Sequence, residues 1–255
     1  MSARKHVVWD IVGTCVSYDA PVRTVTALLG PVLSKHNILP ATFVHLLNET
    51  AEREYTFLSI SNRYTPYFTV MRLLFYRVLL SLGIPNPREV VSEADVDAVM
   101  DSFANLEVRD GVKECWERLR AEGFTMWAFT AGDASSVQGM LEKGGVSLPV
   151  EQFRSCDSAG VGKPHSESYK PLLEELRADA GGEEVETWFA AAHQWDVSAA
   201  KRSGFDRGAY VTVLEGEAVD ELFGKMDVTA ESFEELAEGI IRVSKAGAVR
   251  SEHGD

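Results

Sequence analysis

Val7-Val8-Trp9-Asp10-Ile11-Val12-Gly13-Thr14 is an apolar run that reads as a buried strand, broken by a carboxylate and followed by a glycine turn. A buried strand that ends on an acid needs a reason. In an open parallel sheet, ligands bind outside the carboxyl ends of the strands, which would set Asp10 at the mouth of a site. Asp is equally at home as a cap or turn residue, so on this stretch alone Asp10 reads either way. The rest of the chain has to decide.

Beyond the turn, apolar residues recur at helical intervals from about Val22 to Met100, as in Val22, Val25, Leu28, Leu29 and again Phe43, Leu46, Leu47. This predicts a helical insertion directly after the first strand. Residues 67–80 within it are apolar enough for a helix buried on most sides, and Gly83-Ile84-Pro85-Asn86-Pro87 stops it. After about Val108 the pattern alternates. A helix over 112–122 precedes a strand over 124–129 that closes on Thr130-Ala131-Gly132-Asp133, and residues 153–156 read as a short strand. Gly160-Val161-Gly162-Lys163-Pro164 leads into a helix over 166–178, and a strand over 187–192 runs out at His193-Gln194-Trp195-Asp196. Residues 210–213 read as the last strand. Strands alternating with helices of about 10 to 15 residues indicate βαβ units. The fold class is therefore α/β, a Rossmann-like parallel sheet carrying a helical insertion. The expected division is a core over 1–17 and 101–243, a helical cap over 18–100, and a polar, frayed tail over 244–255.

Composition bounds the function. The chain has 255 residues, 45% hydrophobic and 25% charged, enough for a sizeable core without staples. Its formal net charge of -14 argues against nucleic acid or an anionic membrane surface as partner, and leaves a small-molecule substrate. Met1 to His6 run into the first strand with no apolar leader, and no run approaches the ~18 apolar residues of a membrane span. A cytoplasmic location is expected. Cys15, Cys115 and Cys156 are odd in number and lack a CxxC spacing, so neither a disulfide framework nor a zinc site is indicated. The apolar stretch 67–80 serves equally as interior or as the contact of a homodimer.

Four polar groups fall at predicted strand ends or in shaped turns: Asp10, Thr130, Lys163 and Asp196. In this order and spacing, with a helical insertion after the first, they resemble the haloacid dehalogenase superfamily, whose motifs supply a nucleophilic Asp, a Ser/Thr, a Lys and a distal acid. The resemblance spans almost the whole chain. The superfamily's phosphatases carry a second Asp two residues after the nucleophile; here that position is Val12, which can neither protonate a leaving group nor hold a metal. Asp10-x-x-Gly13-Thr14 looks instead like the 2-haloacid dehalogenase (type II) branch. Glu54-Tyr55-Thr56-Phe57-Leu58, Lys163-Pro164 with Tyr169, and Ala192-His193-Gln194-Trp195-Asp196-Val197 are similar to that branch segment by segment.

The resemblance implies that Asp10 attacks an electrophilic carbon and that water then attacks the ester carbonyl, with no metal and no cofactor. It implies that Lys163 neutralises charge beside the nucleophile, that Asp196 pairs with Lys163 or orients the water, and that Thr14 and Thr130 hydrogen-bond the Asp10 carboxylate. The backbone N–H groups of Ile11 and Val12 would hold the developing oxyanion. Tyr169 and His193 are candidate substrate contacts, each equally readable as structural. Lys163→Ala is expected to abolish activity and barely change the melting temperature.

Departures from the branch narrow the reaction. Aligned on Glu54-Tyr55, the cap arginine that grips the substrate carboxylate in the branch becomes Glu49, leaving Arg53 or Arg63 to reach in from a neighbouring turn. The branch's Ser-Asn pair after the second strand is Thr130-Ala131, and a further Ser and Asn are Ala191 and His193. Fewer polar groups make a drier pocket. Two functions therefore stand: a metal-independent hydrolase of a halogenated or activated organic substrate, and a non-hydrolytic isomerase or cyclase acting on an apolar intermediate. A catalytically dead binding module is a third reading, disfavoured by the survival of Asp10, Lys163 and Asp196.

Overall fold

The computed structural model describes residues 3–178 and 184–252, without the side chains of 248–252. The chain opens with β1 (Arg4–Asp10) and β2 (Val16–Ser17) and then enters α1 (Asp19–Ser34), α2 (Pro40–Ile60), α3 (Tyr67–Ser81), α4 (Pro87–Val90) and α5 (Glu93–Phe103). It returns through β3 (Glu107–Val108) to α6 (Val112–Ala121), β4 (Phe124–Thr130), α7 (Ala134–Lys143), β5 (Phe153–Ser155), α8 (Cys156–Ala159) and α9 (Ser166–Ala178). The last elements are β6 (Val185–Ala191), α10 (Gln194–Ser203), β7 (Arg207–Val211), α11 (Asp220–Phe223), β8 (Val228–Ala230) and α12 (Phe233–Glu252).

Six strands form one sheet in the order β5-β4-β1-β6-β7-β8, every pairing parallel. Strands covered on both faces must be apolar along their whole length, which is why β1, β4 and β6 read as continuous runs. Alternation sorts their side chains between two layers. Val7, Trp9, Met126, Ala128, Trp188 and Ala190 pack in one cluster with α6 and α12; Val8, Trp127, Phe129, Phe189 and Ala191 pack in the other with Tyr169 of α9 and Val197 of α10. Period two assigns Asp10 to the second layer, where α9 and α10 lie. From β1 the chain builds outward through β4 and β5, then crosses to β6 on the other side. The carboxyl ends of β1 and β6 therefore flank the topological switch point, the usual place for a ligand in such a sheet.

The insertion α1–α5 has its own apolar core, including Phe43 and Phe75 edge to face at 5.2 Å. Its entry and exit are zipped together by the antiparallel pair β2 and β3, with Val16 opposite Val108. The Arg109 side chain adds a tie by donating to the Gly13 carbonyl at 3.1 Å. The helix over 67–80 is largely interior: Val70, Met71, Leu74, Phe75, Val78 and Leu79 are buried, while Leu73 and Leu80 are exposed. Among the described residues no helix is long and apolar enough to cross a membrane. The three cysteines are buried and unbridged.

Three sequence expectations change. The strand at 210–213 starts earlier, as β7, and is not the last, because β8 adds a sixth strand too short for periodicity to reveal. Cys156 starts a helix instead of ending a strand. The polar tail does not begin at Ser244: α12 continues to Glu252, and the Ser244 hydroxyl is buried and donates to Glu186 at 2.7 Å. A polar helix face against a polar strand end resembles a frayed tail when only composition is read.

Candidate active site

Asp10 closes β1 with both carboxylate oxygens held. Oδ2 accepts from the Thr14 hydroxyl at 2.6 Å, and Oδ1 accepts from Lys163 Nζ at 2.8 Å. Thr14 is fixed in turn by accepting the Ala192 N–H at 2.8 Å, which links the ends of β1 and β6. Gly13, at φ +85°, makes the turn that brings Thr14 back over the strand end; a Cβ there would lie 3.0 Å from His193 Nε2.

Lys163 comes from the loop between α8 and α9. Its Nζ also donates to Asp196 Oδ2 at 2.7 Å and sits 4.9 Å from the centre of the Phe129 ring. Burial works against its charge, but the two carboxylates outweigh it and hold the ammonium above the ordinary lysine range. The Gly-rich loop is shaped by the insertion. Gly162 donates its N–H to Ser59 at 2.8 Å and faces Tyr55 so closely that a Cβ would lie 2.2 Å from the ring. Asp196, in the first turn of α10, is fully buried, and its other oxygen accepts from Tyr169. Burial raises its carboxyl above the usual range, against the pull of Lys163.

Asp10, Val12 and Lys163 open onto a cavity of about 50 Å³ between the sheet and the insertion, walled largely by Tyr18, Tyr55, Tyr67, Phe68, Met71, Phe103 and Trp195. Its remaining polar lining is a second charged cluster. His193 precedes α10, with Nδ1 3.1 Å from Glu215 Oε1 and Nε2 3.9 Å from Glu52 Oε1. Burial lowers the imidazole, but the Glu52 charge and the Glu215 hydrogen bond dominate and carry it to about 10. Glu52 is held by Asn48, whose Nδ2 donates to Oε1 at 2.8 Å, and Asn48 Oδ1 accepts from Tyr67 at 2.8 Å. Burial pushes the Glu52 carboxyl up to about 7, with His193 opposing.

The structure brings together Asp10, Thr14, Lys163, Asp196, Val12 and His193 at the carboxyl ends of β1 and β6. Several expectations need correction. The Thr130 hydroxyl does not bond Asp10; it accepts the Gly132 N–H at 3.0 Å and shapes the turn after β4. Tyr169 is buried beneath Asp196 and does not line the cavity, and Asp196 is likewise buried away from it, its carboxylate accepting from Lys163 and Tyr169. The Ile11 side chain lies in the sheet core, which leaves untouched the expectation for its backbone N–H. Glu49 faces a neighbouring surface groove, and Arg53 pairs with Glu54 at 3.2 Å on the exposed side of α2. The reason is helical period: Asn48, Glu52, Tyr55 and Ser59 share one face, and Glu49 and Arg53 each stand 100° away from it. Glu52, Asn48, Tyr18, Tyr67 and Glu215 are site residues that the motif alignment missed. Polar residues at the i, i+4 positions of an otherwise apolar stripe were the available signal for Asn48 and Glu52.

Comparison with known proteins agrees with this geometry. Residues 4–204 match the family model of the haloacid dehalogenase-like hydrolases. An (S)-2-haloacid dehalogenase of Pseudomonas sp. (strain CBS-3) is 23% identical over 208 residues, covering 80% of this chain and 82% of its own. Among solved structures, an L-2-haloacid dehalogenase superposes with a TM-score of 0.78 at 17% identity, over 95% of this chain and 100% of the other. The L-2-haloacid dehalogenase of Xanthobacter autotrophicus with covalently bound chloropropionic acid superposes with a TM-score of 0.67 at 18% identity, over 93% of this chain and 98% of the other. A six-stranded parallel sheet, a helical insertion after its first strands, and an Asp-Thr-Lys-Asp constellation at the switch point, together with a family match over most of the length, place this chain in the haloacid dehalogenase-like hydrolase family.

Proposed function

We propose that the protein is a metal-independent hydrolase that displaces a leaving group from a saturated carbon, in the manner of a 2-haloacid dehalogenase. The observation that carries this reading is a carboxylate without an acid two residues on: Asp10, hydrogen-bonded by Thr14 and Lys163, opens onto the cavity with Val12 at the position of that second acid. The Val12 side chain offers no carboxylate to a cation and no proton to an oxygen leaving group. A halide needs neither. Asp10 attacks the carbon, the halide leaves with its bonding electrons, and an ester joins Asp10 to the substrate. Water then adds to the ester carbonyl; Lys163 and the N–H groups of Ile11 and Val12 counter the oxyanion. The products are an alcohol, a halide ion and one proton, and Asp10 is restored.

In this scheme residues 18–100 act as the cap, and their tyrosines exclude bulk water from the reacting carbon. The covalently bound chloropropionic acid of the Xanthobacter autotrophicus neighbour is consistent with such chemistry on this fold. Rapid quenching of the enzyme with a 2-bromo carbonyl compound, followed by peptide mass spectrometry, tests the reading. The peptide containing Asp10 should gain the alkyl group, and Asp10→Asn should lose halide release by about a thousandfold or more. Full activity of Asp10→Asn would refute it.

A further inference from the structure

The cations of the cavity are already bracketed by carboxylates. Lys163 lies 2.8 Å from Asp10 and 2.7 Å from Asp196. His193 lies 3.1 Å from Glu215 and 3.9 Å from Glu52. Among the described lining residues there is no other lysine, arginine or histidine. Two cations therefore face four acids, in a site walled by aromatic rings where water screens poorly. An incoming carboxylate would find no cation with unmatched charge and would meet Asp10 and Glu52 across a few ångströms. A neutral group that donates N–H hydrogen bonds meets acceptors instead. Its reactive carbon can still approach Asp10.

We propose that the natural substrate class is the uncharged α-halogenated carbonyl compound of the 2-haloamide type, and that Glu52 is the residue that turns 2-halocarboxylates away. This rests on Asp10 being the carbon-attacking nucleophile. In the first step the Asp10 oxygen–carbon bond forms as the carbon–halogen bond breaks, the halide takes the electron pair, and no proton moves. Glu52 sets the charge of the cap wall through its surroundings: His193 before α10, Asp10 at the end of β1, Asn48 and Glu49 on its own helix, Tyr18 before α1 and Tyr67 on α3. Because burial lifts its carboxyl to about 7, the discrimination is strongest in alkaline solution and relaxes as Glu52 takes up a proton.

The two probes 2-bromopropionamide and 2-bromopropionate match in shape and differ in charge. The experiment measures the rate of Asp10 alkylation in single-turnover quench with each, divided by the rate of the same halide with free acetate in solution. In the wild-type protein at pH 8 the amide should be favoured by about tenfold or more, and the preference should shrink as pH falls through about 7. Glu52→Gln should bring the two normalised rates within about threefold and remove the pH dependence. If that variant does not fold, the wild-type ratio and its pH profile still decide. A bromopropionate rate equal to or above the amide rate at pH 8 overturns the proposal and leaves Asp10 as nucleophile. Absence of an Asp10 adduct with both probes removes the nucleophile reading itself, and the proposal with it.

Discussion

Replacing Lys163 with methionine deletes one positive charge and keeps most of the aliphatic stem. The ammonium it removes is 4% exposed and lies between Asp10, 5% exposed, and Asp196, fully buried. Removing one partner of a buried ion pair costs about 3–5 kcal/mol, because the remaining charge is left desolvated and unmatched. Here two carboxylates are left, with Tyr169 and Thr14 as their remaining donors. In a chain of this size each kcal/mol lowers the melting temperature by about 2–4 °C, so Lys163→Met should lose roughly 6–20 °C at pH 8. The expectation from the motif alone, that removing Lys163 spares stability, is thereby reversed. The loss should also depend on pH. Without the cation, one carboxylate of the pair takes up a proton more readily, so the gap to the wild type should narrow between pH 8 and pH 5. Scanning calorimetry at both pH values checks this. A melting temperature within about 2 °C of the wild type at pH 8 would show that Lys163 does not compensate the two acids.

Other perturbations read separate parts of the account. Tyr169→Phe strips one donor from buried Asp196 and should cost about 1–3 kcal/mol in denaturant unfolding, with halide release slowed because Lys163 loses its fixed anchor. Gly162→Ala sets a methyl 2.2 Å from the Tyr55 ring and should destabilise by about 1–3 kcal/mol, a loss that Tyr55→Ala in the same chain relieves; an unchanged melting temperature would mean the loop and α2 are not in contact. His193 titrates near 6.5 when unfolded and about 10 when folded, so its contribution is complete below pH 6.5 and is lost as pH rises toward 10. Melting temperatures of wild type and His193→Gln should converge across that window, and parallel curves would contradict it.

Much of the site was legible because polar groups at the ends of apolar strands stand out. Asp10 ends β1, Asp196 comes shortly after β6, and glycines mark the turn that carries Lys163. Thr130 was legible in position and not in role, since a hydroxyl at a strand end serves the adjacent turn as readily as its neighbour's carboxylate. Tyr169 failed for a related reason: its motif spacing fixes α9, and only the packing of α9 under β6 decides that the hydroxyl meets Asp196 instead of the substrate. Glu52 was obscured by the Glu54-Tyr55 match, which drew the reading to Glu49 although the helix turns that residue away. Glu215 had no local signal at all. It reaches His193 from the loop after β7, a contact made only by the sheet order.

The central claim, attack of Asp10 on carbon followed by hydrolysis of the ester, is tested most directly by where water's oxygen goes. In a single turnover in ¹⁸O-water with enzyme in excess, mass spectrometry should find ¹⁸O in the Asp10 peptide and ¹⁶O in the alcohol product. Label in the product with an unlabelled Asp10 peptide would mean that water attacks carbon directly, and the covalent account would be wrong.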